Sequence, residues 1–213
     1  GEGAGLNNLG LAWAALGELR QAIEYYEQDL AIAREIGDQR CEGNALNNLG
    51  LAWADLGEPR RAIEYYEQDL VITRQIGDRR AEGQALGNLG NAFLYLDEPR
   101  RAIDYYEQRL VIAREIGDRR GEGNALGNLG SVYKDLGEPR RAIDYYEQHL
   151  TIACEIGDRR GEETALGNLG SAYKRLGELD RAIDYYEQAL AIDRAIGDRQ
   201  GEANDCWNLG LLL

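Results

Sequence analysis

Ala-Ile-Asp-Tyr-Tyr-Glu-Gln, residues 102–108, returns at 142–148 and 182–188, and with Glu for Asp at 22–28 and 62–68. Asn-Leu-Gly keeps step with it at 8–10, 48–50, 88–90, 128–130, 168–170 and 208–210. The period is 40 residues throughout. A fixed period of that length marks one supersecondary unit stacked on copies of itself, each burying the apolar face of its neighbour. The 213 residues hold five periods (1–40, 41–80, 81–120, 121–160 and 161–200) and the opening half of a sixth (201–213). They read as a single solenoid domain over 1–213, a binding surface rather than a catalytic pocket.

The second period shows how the unit folds. Asp38 follows Gly37, an N-cap acceptor placed directly after a residue suited to end the preceding helix. From there Ala45, Leu46, Leu49, Ala52, Trp53 and Leu56 recur at spacings of three and four, which predicts an amphipathic helix A running to about Leu56. Gly57 ends it, and Pro59 opens helix B where its missing N–H costs nothing. Helix B is expected to bury Ala62, Ile63, Tyr66, Leu70 and Ile76. Connections of two or three residues make neighbouring helices antiparallel. The fold class expected is therefore all-α, a right-handed superhelical solenoid of antiparallel helix hairpins. Asp97 stands where other periods end helix A with glycine, and Leu19 and Leu179 stand where others have proline.

Composition narrows the function. The net charge of −14 disfavours a nucleic-acid ligand, because phosphate binding needs clustered Lys and Arg. No apolar run approaches the roughly 18 residues that a membrane span needs, and no leader-like N-terminus is present. Cys41, Cys154 and Cys206 fall at unrelated phases of the repeat, without metal-ligand spacing. They read as reduced thiols of a cytoplasmic protein. The single histidine, His149, lies five residues before Cys154, on a different side of the helix, so neither a metal nor a Cys/His catalytic pair is expected. No nucleophile–base pair, phosphate loop or paired-carboxylate pocket points to an enzyme, and no cofactor is implied.

Leu46, Leu49, Gly50, Trp53, Ala62 and Tyr66 stand at the spacing of the tetratricopeptide repeat, which the chain resembles in every period. That repeat is usually about 34 residues long. The longer form here, with Gly-Asp-Arg-Arg-Gly-Glu-Gly-Asn-Ala-Leu-Gly-Asn-Leu-Gly (117–130) and Glu-Gln-Asp-Leu (67–70), is similar to the Leu-Gly-Asn-repeat adaptors of spindle orientation. It is also similar to sensor or scaffold arrays of bacterial signalling proteins. Nothing resembles the G-protein-binding motifs that follow the repeats in the spindle adaptors. The short repeat favours a small residue where this chain has Asp29, Asp69, Arg109, His149 and Ala189; their variety implies a partly exposed site.

The resemblance implies that the face of helix A opposite its core side lines a concave groove for an extended peptide. On that face Asn8, Asn48, Asn88, Asn128, Asn168 and Asn208 form a ladder, joined by Asn47, Asn91 and Asn124. A carboxamide both donates and accepts, so it can clamp a peptide backbone without selecting side chains. It can equally bind the neighbouring repeat. Gly87, Gly127 and Gly167 sit mid-helix beside the ladder, where each costs roughly 1 kcal/mol relative to alanine. A thin wall there would admit a ligand backbone, or repeat duplication has carried a tolerated residue along. Leu11, Ala14, Ala15, Leu51 and Ala54 make the N-terminal half of the face apolar. Asn91, Ser131, Ser171, Lys134, Lys174 and Arg175 make the C-terminal half polar and basic, which suits an acidic peptide.

Two functions compete. One is a protein–protein interaction module that binds a peptide in the Asn-lined groove. The other is a self-assembling scaffold, or the sensor arm of a larger signalling protein. End-to-end association would use Trp207, Leu209, Leu212 and Leu213. Arg60 with Glu64 and Arg140 with Asp144 are expected as i,i+4 pairs, and the Tyr-Tyr doublets as packing between hairpins.

Overall fold

The computed structural model describes residues 2–212, with side chains described from Gly5. Gly1 and Leu213, the latter one of the expected end contacts, lie outside the described residues. The chain is helical along its described length: α1 (Glu2–Ala15), α2 (Leu19–Ile36), α3 (Gln39–Asp55), α4 (Pro59–Ile76), α5 (Arg79–Tyr95), α6 (Pro99–Ile116), α7 (Arg119–Asp135), α8 (Pro139–Ile156), α9 (Arg159–Leu176), α10 (Leu179–Ile196) and α11 (Arg199–Gly210). The fold class is the all-α solenoid of helix hairpins. The helices fall into two compact units, one ending at Ile112 and the other beginning at Ala113.

Local chemistry sets each boundary. Asp38, Asp78, Asp118, Asp158 and Asp198 each accept from a backbone N–H in the first turn of the helix that follows. Gly37, Gly77, Gly157 and Gly197 end helices in the left-handed conformation. Asp97 takes the same conformation without being glycine, at φ 58°. Pro59 and Pro139 occupy the first turn of their helices.

Within the N-terminal unit α1 packs on α2, α2 on α3, α3 on α4 and α4 on α5; within the C-terminal unit α7 packs on α8, α8 on α9, α9 on α10 and α10 on α11. The same contact joins the helices of every hairpin. Tyr26, Tyr66, Tyr106, Tyr146 and Tyr186, all buried, lay their rings on Gly10, Gly50, Gly90, Gly130 and Gly170. A Cβ at Gly130 would come within 2.5 Å of the Tyr146 ring. Around this contact Ala45, Leu46, Leu49, Ala62 and their counterparts in the third and fourth periods are fully enclosed. Trp53, Leu56, Ile63 and Ile76 are only half-buried, because they lie at the margins of the apolar stripe.

In three of the doublets the first tyrosine stacks on an aromatic ring of its own hairpin. Tyr105 stacks on Phe93, Tyr145 on Tyr133 and Tyr185 on Tyr173, with centroids 5.3–5.4 Å apart. Arg101 and Arg141 cover the other faces of Phe93 and Tyr133, at 3.7 and 3.9 Å from the ring centroids. The i,i+4 pairs Arg60–Glu64 and Arg140–Asp144 do not form among the described residues. Arg101, Arg141 and Arg181 pair instead with Glu98, Glu138 and Glu178 one turn back. Successive hairpins are tied by Arg34–Glu42, Arg74–Glu82, Arg114–Glu122 and Arg194–Glu202, all at 2.8–2.9 Å.

Gly130→Ala should destabilise the chain by about 1–2 kcal/mol, since overpacking against Tyr146 exceeds the gain in helix propensity. Gly83→Ala meets only Ile112, at an ordinary 3.6 Å, and should stabilise by up to roughly 1 kcal/mol. Urea unfolding of the two variants measures both.

Candidate functional site

The expected groove residues lie on the outward faces of α1, α3, α5, α7, α9 and α11, but the ladder behaves differently in the two units. In the N-terminal unit it is spent internally. The Asn48 Nδ2 donates to Asn7 Oδ1 at 2.8 Å, and the Asn88 Nδ2 donates to Asn47 Oδ1 at 3.0 Å. Each bond links a ladder asparagine to the residue 41 positions before it, in the preceding helix A.

That acceptor is missing further along, because the residues 41 positions before Asn128, Asn168 and Asn208 are Gly87, Gly127 and Gly167. In the C-terminal unit the half-buried carboxamides of Asn128 and Asn168 make no hydrogen bond to any described residue. Asn124 is exposed on the same helix, and Asn8 is exposed in the N-terminal unit.

Two of the three glycines have a packing reason. The Arg109 side chain lies over Gly87, and His149 lies over Gly127, where a Cβ would stand 3.1 Å from Nδ1. The helix-B position of Asp29, Asp69, Arg109, His149 and Ala189 is accordingly not the partly exposed site expected from sequence. Asp29, Asp69, His149 and Ala189 are buried and Arg109 is half-buried; Asp69, Arg109 and His149 lie against Gly43, Gly87 and Gly127 of helix A. Asp69 floors a cavity of about 40 Å³ that Asn44, Asn47 and Gln84 also line. Burial, with Asp78 adding to it, pushes the Asp69 carboxyl up to about 7. Burial holds the His149 imidazole below its ordinary value, against the opposing pull of Asp158.

Asn91 and Ser131 also serve the core. The Tyr106 hydroxyl donates to Asn91 Oδ1 at 2.6 Å, and the Tyr146 hydroxyl donates to Ser131 Oγ at 3.1 Å. Ser171 is half-buried at the same phase, beside Tyr186. Arg175 is committed as well: it donates to the Lys134 carbonyl at 3.0 Å and lies 3.7 Å from Asp135 Oδ1.

Lys134 and Lys174, the only lysines in the chain, are half-buried on the C-terminal unit's face. Neither ammonium joins an ion pair among the described residues. The N-terminal unit's face is apolar, with Leu11 and Leu51 exposed. It also carries a residue that the sequence reading missed. Tyr95 is 78 % exposed, the largest value of any large apolar side chain described. It stands at the phase of Ala15, Asp55, Asp135 and Arg175, so comparing that column across repeats would have found it.

Stacked antiparallel hairpins repeated every 40 residues define a helical-repeat protein. The chain belongs to the tetratricopeptide repeat family, whose models match residues 2–70, 85–120, 122–195 and 161–213. No curated protein sequence matches it. Its fold is similar to that of BtubC from P. vanneervenii, at 23 % identity and TM-score 0.83, over 91 % of this chain and 80 % of that one. It is also similar to the apo form of RapI, at 17 % identity and TM-score 0.92, over 100 % of this chain and 78 % of that one. A third likeness is to a signal-transduction ATPase with a tetratricopeptide repeat sensor from Pyrococcus horikoshii, at 22 % identity and TM-score 0.75, over 97 % of this chain and 35 % of that one. No helix among the described residues is long and apolar enough to cross a membrane.

Because the folded carboxyl of Asp69 holds its proton up to about 7 while an unfolded aspartate loses it near roughly 3.9, its contribution is greatest below about pH 4 and is lost as pH rises through about 7. Asp69→Asn should match the parent chain near pH 4 and exceed it by more than about 1 kcal/mol at pH 8. Urea unfolding of both chains across that range reads the difference.

Proposed function

We propose that the chain is a non-catalytic interaction module that binds an extended segment of a partner protein along the asparagine-bearing face of the C-terminal unit. One observation carries the reading: the Asn128 and Asn168 carboxamides make no hydrogen bond to any described residue, whereas the Asn48 and Asn88 amides each donate one within the fold. Mid-groove carboxamides without partners suit a peptide backbone, which offers an N–H and a C=O at every residue. Lys134 and Lys174 beside them favour carboxylates on the peptide, since a charge-assisted bond in a half-buried setting outweighs an exposed pair. In the N-terminal unit Tyr95 and Leu51 offer apolar contact instead. The 40-residue period and Leu-Gly-Asn spacing favour kinship with the Leu-Gly-Asn-repeat adaptors as the finer assignment, and a cytoplasmic partner fits the three exposed free thiols.

Selection of displayed peptides against the chain, counter-selected with an Asn128→Ala/Asn168→Ala variant, tests the reading. The expected outcome is an acidic consensus whose affinity drops at least tenfold in that variant and in Lys134→Ala/Lys174→Ala. Asn48→Ala should leave affinity unchanged and cost about 1 kcal/mol of stability, the value of one lost hydrogen bond. Equal affinity in the parent chain and the Asn128/Asn168 variant would rule the groove out.

A second reading, self-association as a scaffold, is favoured by α11. There Trp207 is 71 % exposed and Leu211 57 % exposed, beside half-buried Leu209 and Leu212. Light scattering should then show mass rising with concentration, and Trp207→Ala should return the chain to monomer; a constant monomer mass over a hundredfold range discards this reading.

A further inference from the structure

In the last hairpin interface of the C-terminal unit, three interior positions that other repeats fill with small residues carry carboxylates together. Asp193 stands at the phase of Ala33, Thr73, Ala113 and Ala153. Asp205 stands at the phase of Ala45, Ala85, Ala125 and Ala165. Glu163 stands at that of Gly43, Gly83 and Gly123. They come from α9, α10 and α11, and one oxygen of each lies within 4.8 Å of the others.

Burial makes this grouping chemically exacting. Asp193 is 0 % exposed and Asp205 4 %. Neither oxygen of Asp193, nor Oδ2 of Asp205, has a hydrogen-bond partner among the described residues. A buried carboxylate without donors or a counter-charge is strongly unfavourable. The basic side chains of this region do not supply one: Arg194 and Arg199 both bind Glu202, at 2.9 and 3.0 Å. Asp198 is occupied as the cap of α11 and only adds negative charge.

Small residues around the cluster make the space for it. A Cβ on Gly201 would stand 2.5 Å from both Asp193 oxygens, so only glycine lets that carboxylate press against α11. Ala189 stands where earlier repeats place Asp29, Asp69, Arg109 and His149, and so leaves the adjoining space unplugged. A Cβ on Gly167 would face the cluster, 3.8 Å from Glu163 Oε1 and 3.9 Å from Asp205 Oδ1.

We propose that Glu163, Asp193 and Asp205 hold one hard divalent cation, Ca²⁺ by size, between α9, α10 and α11. An all-oxygen carboxylate set selects hard cations. Ca²⁺ binds oxygen at about 2.3–2.6 Å, so ligands on opposite sides of it stand up to about 5 Å apart; for Mg²⁺ the limit is about 4.2 Å. Separations within 4.8 Å fall inside the Ca²⁺ limit. Glu163, the half-buried member, marks the side from which the ion enters and water completes its shell. Without a cation, burial first and the neighbouring carboxylates second push Asp205 up to about 7 and raise Asp193 and Glu163.

The test is calorimetric titration and thermal unfolding of the whole chain, stripped with chelator, against Ca²⁺ and Mg²⁺. Asp193→Ala and Asp205→Ala restore the alanine of the other repeats, so both variants should fold, with a higher melting temperature than the parent chain in chelator. The expected result is saturable one-to-one Ca²⁺ binding that raises the parent melting temperature, a smaller rise with Mg²⁺, and loss of the Ca²⁺ rise in both variants. Glu163→Gln should weaken Ca²⁺ at least tenfold. A parent chain and Asp193→Ala that respond alike to Ca²⁺ would overturn the site and leave the carboxyls as proton-sharing neighbours.

Discussion

A tyrosine ring lying flat on a glycine holds each hairpin together, and the other features of the repeat follow from that contact. With no Cβ at Gly50 or Gly130, helix A approaches helix B to the thickness of one ring. That spacing encloses Ala62 and Ala142 completely and leaves no room for anything larger. It also brings the phenol of Tyr106 or Tyr146 to Asn91 or Ser131, which accepts a hydrogen bond from it. Burial pushes both phenols up to about 12, which favours the protonated, donating form. Core and outward face are thus one hydrogen-bonded unit, and polar residues of the outward face cannot all be counted as free for a ligand.

A frame this regular concentrates its chemistry where it departs from itself. The helix-B column of Asp29, Asp69, Arg109, His149 and Ala189 shows the effect. The backbone places the five residues at equivalent points, yet they supply a carboxyl pushed up by burial, a guanidinium, an imidazole held down by burial and a methyl group. Each choice is coupled to helix A: Arg109 and His149 need the missing side chains of Gly87 and Gly127. Those same glycines remove the acceptor that the next ladder asparagine would have used. Packing on one side of helix A therefore decides hydrogen-bond availability on the other.

Most of the fold was legible in the sequence because its signals are local. The period, the Gly-Asp punctuation, the prolines at helix starts and the alternation of apolar residues each act within a few residues of chain. The ladder was legible too, but its division was not, since it depends on pairing residues 41 positions apart in three dimensions. Burial at Asp69 and His149 was misread for the same reason: a charged residue in a variable column looks exposed until the glycine beneath it is seen. Metal ligation was sought only among the cysteines and His149, which lie apart. Glu163, Asp193 and Asp205 stand 30 and 12 residues from one another and share no motif. Each is visible as a departure from a small-residue column, and only the packing of α9, α10 and α11 joins them.

Charge shows the difference between structural and available groups most directly. The chain carries −14, and its basic residues are overwhelmingly arginine, 22 against two lysines, from a Lys+Arg total of 24. The arginines are engaged by their geometry. A planar fork binds Glu42, Glu82, Glu122 and Glu202 across hairpins, and its flat face covers Phe93 and Tyr133. Lysine does neither task as well, so a lysine at Lys134 or Lys174 is not explained by the repeat's own cohesion. At those phases the N-terminal hairpins have Ala14, Ala54 and Leu94, and the frame folds equally well around them. The two ammonium groups are surplus to the fold in an acidic protein, whereas many of its arginines are engaged in ion pairs or over rings. Surplus charge on a half-buried face raises local potential against a negative background.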